Sequence, residues 1–100
     1  MAKLVRYEWV IETIAKDDEY EDIQAVYHSD TFIGATEWAV ILRADNWRVE
    51  VGLVRDVIDS FDDDLEDRQW AYLEEDGSLP QCFDDGAKVP KRFQKEVKGT

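Results

Sequence analysis

The chain has 100 residues, of which 44% are hydrophobic, so it can form one domain with a real core and without metals or disulfides. Acidic residues outnumber basic ones by 24 to 12, and the net charge of −12 would repel a nucleic-acid duplex or an anionic membrane. The composition therefore predicts a cationic partner, either a basic protein surface or a metal ion, unless the charge serves solubility alone.

The N-terminal third predicts an antiparallel hairpin. Residues 4–14 alternate, with Val5, Tyr7, Trp9 and Ile11 on one face and polar residues, including Glu8 and Glu12, on a wet outer face. Residues 23–29 resume the alternation after an acidic stretch, residues 17–22, which is predicted to be a solvated loop.

Residues 31–43 are predicted to form a helix, with a third strand through residues 38–42 as the alternative. Asp30 is a candidate N-cap, and Asn46 suits the left-handed conformation at a helix end. Gly34 disfavours this helix. Apolar residues nevertheless recur at helical spacing, with Ile41 alongside: Phe32, Ala35, Ala39 and Leu42.

Residues 47–55 predict an internal, half-buried strand because apolar and polar side chains alternate along most of it. An acidic connector over residues 59–67 and a short strand over residues 69–73 follow. The order β-β-α-β-β-α predicts a single α+β domain over residues 1–100. Its antiparallel sheet should have about four strands, with the helix of residues 31–43 packed on one face.

The C-terminal segment is basic. Residues 88–98 hold five basic residues and Glu96, a net charge of +4, which leaves −16 for the rest of the chain. Pro90 can open a helix in which Phe93 and Val97 share one face. We expect this segment to fold back on the acidic body rather than to bind nucleic acid directly.

The titratable residues form no recognisable catalytic or metal-binding motif. Asp62, Asp64 and Glu66 alternate as in a calcium loop, but Asp67 occupies the position that requires glycine. His28 and Cys82 are single residues; they could form a dyad only by meeting in space, and Cys82 is predicted to be a small buried apolar group. We therefore expect no enzymatic activity, no cofactor and no metal.

The cysteine count and the apolar runs of the sequence predict where in the cell the protein is found. Cys82 is the only cysteine, so no disulfide can form within the chain, as in proteins of a reducing cytoplasm. The sequence shows neither a leader pattern nor an apolar run long enough to cross a membrane. We expect a cytoplasmic protein with no membrane partner.

The C-terminal residues Phe83-Asp84-Asp85-Gly86-Ala87-Lys88-Val89-Pro90-Lys91-Arg92-Phe93, together with residues 51–56, resemble the endings of short uncharacterised proteins of bacteriophages and other mobile elements. The resemblance covers about a third of the chain. It implies a phage-related origin and assigns no functional residue.

Two functional hypotheses follow. In the first, the protein is a small acidic interaction protein that engages a basic protein surface as a DNA mimic, in the manner of phage-encoded inhibitors. In the second, it is a structural or accessory protein that forms a homo-oligomer through exposed tryptophans among Trp9, Trp38, Trp47 and Trp70. For the first hypothesis, the predicted partner-binding carboxylates share one side of the molecule and are Asp17, Asp18, Glu19, Glu21, Asp22, Asp59, Asp62, Asp63, Asp64, Glu66 and Asp67.

Overall fold

One antiparallel sheet with the strand order β2-β1-β3-β4 organises the protein, as seen in a computed structural model that describes residues 3–99. The elements in chain order are β1 (Lys3–Ala15), β2 (Ile23–Ser29), α1 (Phe32–Ala44), β3 (Trp47–Asp59), β4 (Leu65–Tyr72) and α2 (Lys91–Lys98). The predicted α+β class, the four-stranded sheet and the internal position of the central strand are confirmed.

One face of the sheet carries the core. The alternation in β1 and β3 places Trp9 opposite Leu53 and Ile11 opposite Val51, and all four side chains are buried. α1 covers this face with Phe32, Ala35, Ala39 and Leu42, as the helical spacing predicts. Ile41 is 60% exposed, because it lies outside this inward stripe.

The predicted start of α1 at Asp30 is wrong by one residue. Thr31 is the N-cap, and its hydroxyl accepts a hydrogen bond from the Gly34 backbone N–H at 3.0 Å. Gly34 suits this start because a Cβ there would clash with the Ser29 hydroxyl oxygen. At the other end, Asn46 adopts the predicted left-handed conformation with φ 70°.

The long acidic connector of the sequence is shorter in the structure. β3 continues to Asp59 and β4 begins at Leu65, so residues 59 and 65–67 belong to strands. Two of the acidic side chains are tolerated because they have cationic partners. Arg55 of the neighbouring strand β3 pairs with Asp67, and Lys3 of β1 pairs with Glu66 from the far side of β3.

The basic C-terminal segment folds back on the body, as expected, but through aromatic contacts rather than ion pairs. The Phe93 ring lies 5.1 Å from Tyr7 and 6.1 Å from Trp9, and the Arg92 guanidinium lies over Tyr7. Among residues 3–99, no ion pair includes a basic residue of this segment.

The one acidic residue of α2 joins three elements. The Glu96 carboxylate accepts a hydrogen bond from the Trp9 indole N–H of β1 at 3.2 Å and from the Phe32 backbone N–H at 2.7 Å. Phe32 is the first residue of α1, and the backbone N–H groups in the first turn of a helix have no partner within the helix. Glu96 therefore satisfies a helix terminus and a buried indole together.

We predict that Glu96→Ala lowers the free energy of unfolding by about 2 kcal/mol, because two partly buried donors lose a charged acceptor. Urea unfolding measures this change. The matched control is Glu37→Ala, an exposed residue of α1 that should change stability by less than about 0.5 kcal/mol. Equal effects of the two substitutions would contradict the role of Glu96.

Candidate functional site

The two acidic segments lie at opposite ends of the sheet. Lys3 pairs with Asp59 at one end of the β1–β3 ladder, and Ala15 pairs with Trp47 at the other. Twelve residue steps of about 3.3 Å separate these ends by about 40 Å, within a molecule 45 Å long. The segments lie at opposite ends because β1 leads into one loop and β3 into the other. That their carboxylates face one side of the molecule stays a prediction.

At the β1–β2 end, some carboxylates shape the loop and others are free. Asp18 accepts backbone hydrogen bonds from Tyr20 and Asp22, and Glu21 lies 3.5 Å from Arg48. The part of the chain that the structure describes offers no ion-pair partner to the exposed carboxylates of Asp17, Glu19 and Asp22.

The β3–β4 end divides in the same way. Asp59 is buried and accepts a hydrogen bond from the Phe61 backbone N–H, while Glu66 pairs with Lys3 of β1 and Asp67 pairs with Arg55 of β3. Three consecutive exposed carboxylates remain without an ion-pair partner in residues 3–99, and they belong to Asp62, Asp63 and Asp64.

The tryptophans do not form one surface. Trp9 is fully buried in the core, and Trp47 packs against the edge of the same core. Trp38 lies on α1, 39% exposed, with its ring stacked on Tyr27 at 4.7 Å. Trp70 lies on the opposite face of the sheet. The predicted tryptophan-rich surface is therefore absent from the described residues.

The second face of the sheet carries a groove midway between the acidic ends. Val10, Glu12 and Val54 of the central strands form its floor, and all three are buried. The edge strands supply the walls of this groove, which has a volume of about 310 Å³, through Val26, His28, Arg68 and Trp70. Neither helix covers this face, because α1 and α2 both pack on the core side.

Glu12 is the most unusual residue of the groove. Its side chain was predicted on the wet face, but the residue is only 4% exposed. Its carboxylate hydrogen-bonds the Tyr72 hydroxyl, and burial together with this negative charge raises the pKa of Tyr72 well above its usual range. No ion pair in residues 3–99 includes Glu12.

Gly52 allows Tyr72 to reach Glu12. Tyr72 of β4 lies opposite Gly52 of β3, which in turn lies opposite Val10 of β1. A Cβ on Gly52 would lie 3.1 Å from a carbon of the Tyr72 ring, a tight contact. The missing side chain therefore lets the ring lie across β3 towards β1.

The other polar side chains of the groove have partners within the protein. Arg68 donates two hydrogen bonds to Asp56, at 2.7 and 3.0 Å, and Asp56 is buried. This contact raises the pKa of the Arg68 guanidinium. His28 Nδ1 lies 3.1 Å from Oε1 of Glu8. Glu12 is thus the buried carboxylate of the groove without a cationic partner.

His28 and Cys82 do not meet. His28 lies on β2 at one edge of the sheet, whereas Cys82 lies in the segment of residues 79–89, which hydrogen-bonds to β4 at the other edge through Asp84. Cys82 is exposed, so its predicted burial is wrong. Within residues 3–99, no three His, Cys, Asp or Glu side chains converge as metal ligands, and no helix is long and apolar enough to cross a membrane.

Comparisons with protein-family models, with curated proteins and with solved structures find no match. The candidate residues therefore rest on the geometry of this chain alone.

Sequence reasoning missed the groove although part of its signal was present. Glu8, Val10 and Glu12 lie on one face at period two, and Gly52 interrupts a strand where a close approach is expected. The burial of Glu12 had no local signal, because it depends on side chains that β3 and β4 supply.

We predict that Tyr72 keeps its proton at a pH at which exposed tyrosines have lost theirs. The Tyr72→Phe variant should therefore retain the ultraviolet phenolate signal that the wild type develops as pH rises through 10.0, the usual tyrosine pKa. Tyr20→Phe is the matched control, since it makes the same change at a position that is 78% exposed. A smaller signal in Tyr72→Phe would contradict the prediction.

The raised pKa also has a consequence for stability. The folded protein binds the Tyr72 proton more tightly than the unfolded chain does, so the free energy of unfolding falls as pH rises above 10. Urea unfolding should show a shallower alkaline decline in Tyr72→Phe than in Tyr20→Phe. Identical declines would show that Tyr72 ionises as an ordinary tyrosine.

Proposed function

We propose that this protein is a small acidic binding protein that engages a basic protein surface as a mimic of duplex nucleic acid. The observation that carries the proposal is the pair of free carboxylate clusters about 40 Å apart on a chain of net charge −12. A duplex 40 Å long carries about 24 phosphate charges. Such a partner needs a basic strip of comparable length, and a protein with this strip normally binds a nucleic-acid backbone.

The shape supports the same proposal. The molecule measures 45 × 29 × 22 Å, so it is a short rod rather than a sphere. One rod end presents Asp17, Glu19 and Asp22, and the other presents Asp62, Asp63 and Asp64. The resemblance of residues 83–93 to proteins of mobile elements supports a phage-related, cytoplasmic inhibitor as the biological setting of this proposal.

We predict that Asp62→Asn/Asp63→Asn/Asp64→Asn and Asp17→Asn/Glu19→Gln/Asp22→Asn each slow association with the basic partner by about tenfold at low salt. Each triple change removes three exposed charges from one end, so the fold should persist. Capture from a bacterial lysate, with elution by competing duplex DNA, identifies the partner, and stopped-flow or surface measurements give the rate.

The matched control is Asp30→Asn/Glu37→Gln/Glu75→Gln, which removes the same number of charges from scattered exposed positions outside the two acidic ends. Its association rate should stay within about threefold of the wild type, because exposed charges are screened beyond about 8 Å at physiological ionic strength. The proposal fails if no partner is retained at low salt, if duplex DNA does not displace it, or if all three variants behave alike.

A second candidate, self-association, is supported by a different surface. The outer face of α1 exposes Ile33 by 56%, Val40 by 65% and Ile41 by 60%, and these residues share one helical stripe with Glu37. An exposed apolar stripe of this kind is typical of protein interfaces. In this candidate, the α1 stripe takes the role that the sequence assigned to the tryptophans.

We predict that Val40→Glu/Ile41→Glu lowers the fraction of dimer in sedimentation velocity, because the added charges oppose burial of the stripe. Phe61→Ser is the control, since Phe61 is 77% exposed but lies in the β3–β4 turn. A wild type that is monomeric at every concentration would rule out self-association and leave the first proposal intact.

A further inference from the structure

We infer that the groove on the open face of the sheet binds an arginine side chain of the basic partner. This inference rests on the proposed function and names the contact that lies between the two acidic ends. Its starting observation is Glu12, a carboxylate on a residue only 4% exposed that lines the groove floor and has no cationic partner in the described chain.

A buried carboxylate without a cation is costly, because burial removes the water that would solvate its charge. The Tyr72 hydroxyl offers one hydrogen bond, whereas an ionised carboxylate has about four acceptor sites. An incoming cation would therefore find acceptor capacity that the protein does not use itself. Arg68, the permanent cation of the groove wall, donates to Asp56 and does not supply this charge.

The walls favour a guanidinium over a compact cation. Trp70 lines the groove, and one face of its indole is stacked on the Tyr72 ring at 5.3 Å. Its other face and its edge give a guanidinium an aromatic contact, and a planar guanidinium can donate in its own plane to a carboxylate at the same time. Val10, Val26 and Val54 provide apolar contacts for the methylene stem. The volume of about 310 Å³ is at the lower end of the range for ligand sites and is large enough for one such side chain.

The position of the groove agrees with the proposed function. Val10, in its floor, lies near the middle of β1, between the acidic loop after Ala15 and the acidic turn beside Lys3. A partner that spans both ends must pass over the middle of the rod on one side or another. If the partner passes over the open face of the sheet, an arginine near the middle of the partner's basic strip would contact Glu12.

The test uses the pentapeptide acetyl-Gly-Ser-Arg-Ser-Gly-amide and the same peptide with citrulline, the neutral isostere of arginine. Titration of the ¹⁵N-labelled protein should give saturable NMR shifts at the Trp70 indole N–H and at backbone amides of the groove. The citrulline peptide should bind about tenfold more weakly, because it lacks the charge that pairs with Glu12. Equal binding of both peptides, or shifts only at the acidic ends, would overturn the inference.

Three variants locate the site. Glu12→Gln should weaken the arginine peptide about tenfold, and Val26→Arg should abolish its binding, because Val26 lies opposite Glu12 on β2 and its replacement can fill the groove. Gln24→Arg, an exposed position on the same strand outside the groove lining, should leave the affinity within about twofold. Amide spectra verify the fold, and Val26→Arg keeps the test valid if Glu12→Gln does not fold.

The end variant Asp62→Asn/Asp63→Asn/Asp64→Asn separates this inference from the proposed function. It should lose the basic partner but bind the peptide normally, since the β3–β4 turn lies at one end of the ladder and the groove near its middle. If the end variant lowers the affinity for the peptide as much as Glu12→Gln does, the peptide responds to the overall negative charge of the protein and the groove is not a binding site. If Val26→Arg loses the peptide but captures the basic partner fully, the partner uses no arginine here and the inference fails alone.

Discussion

The pairing of β1 with β3 is the constraint on which the rest of the structure depends. Thirteen consecutive residue pairs, from Lys3–Asp59 to Ala15–Trp47, run without a bulge. Because side chains alternate across a strand, this unbroken register assigns the apolar core to one face and the groove to the other. The same register fixes the length of the rod, and therefore the separation of the acidic ends. A slip of one residue would exchange the two faces.

Side chains of the central strands β1 and β3 are buried on both faces of the sheet, but the helices cover only the core face. The groove lies on the other face. Val10, Glu12 and Val54 are buried by side chains of the neighbouring strands and not by a second layer. A polar residue in such a position is held by few contacts, and Glu12 has Tyr72 as its hydrogen-bond donor. The absence of a side chain at Gly52 makes this contact possible, so a glycine of β3 helps to set the chemistry of a residue on β1.

Local patterns in the sequence predicted the helices and strands well, but they predicted the contacts between these elements less well. Period-two alternation identified β1, β2 and β3, and helical spacing identified the inner face of α1, since these signals are contained within each segment. The capping hydroxyl of Thr31, the strand character of residues 65–67 and the burial of Glu12 all depend on partners from other segments. The acidic segments were recognised because charge is visible in the sequence, whereas their placement at opposite ends depends on the direction in which each strand leaves the sheet.

Glu96 also bears on the order of folding. Its hydrogen bond to Trp9 joins residues 87 positions apart in the chain. The first strand and the first helix are therefore completed by the last helix, and folding during synthesis cannot finish until residue 96 has left the ribosome. Contacts so distant in sequence slow folding, because a long loop must close before they form. Until then, the Trp9 indole N–H and the Phe32 backbone N–H lack their acceptor. A chain truncated before residue 96 would keep both donors without that acceptor.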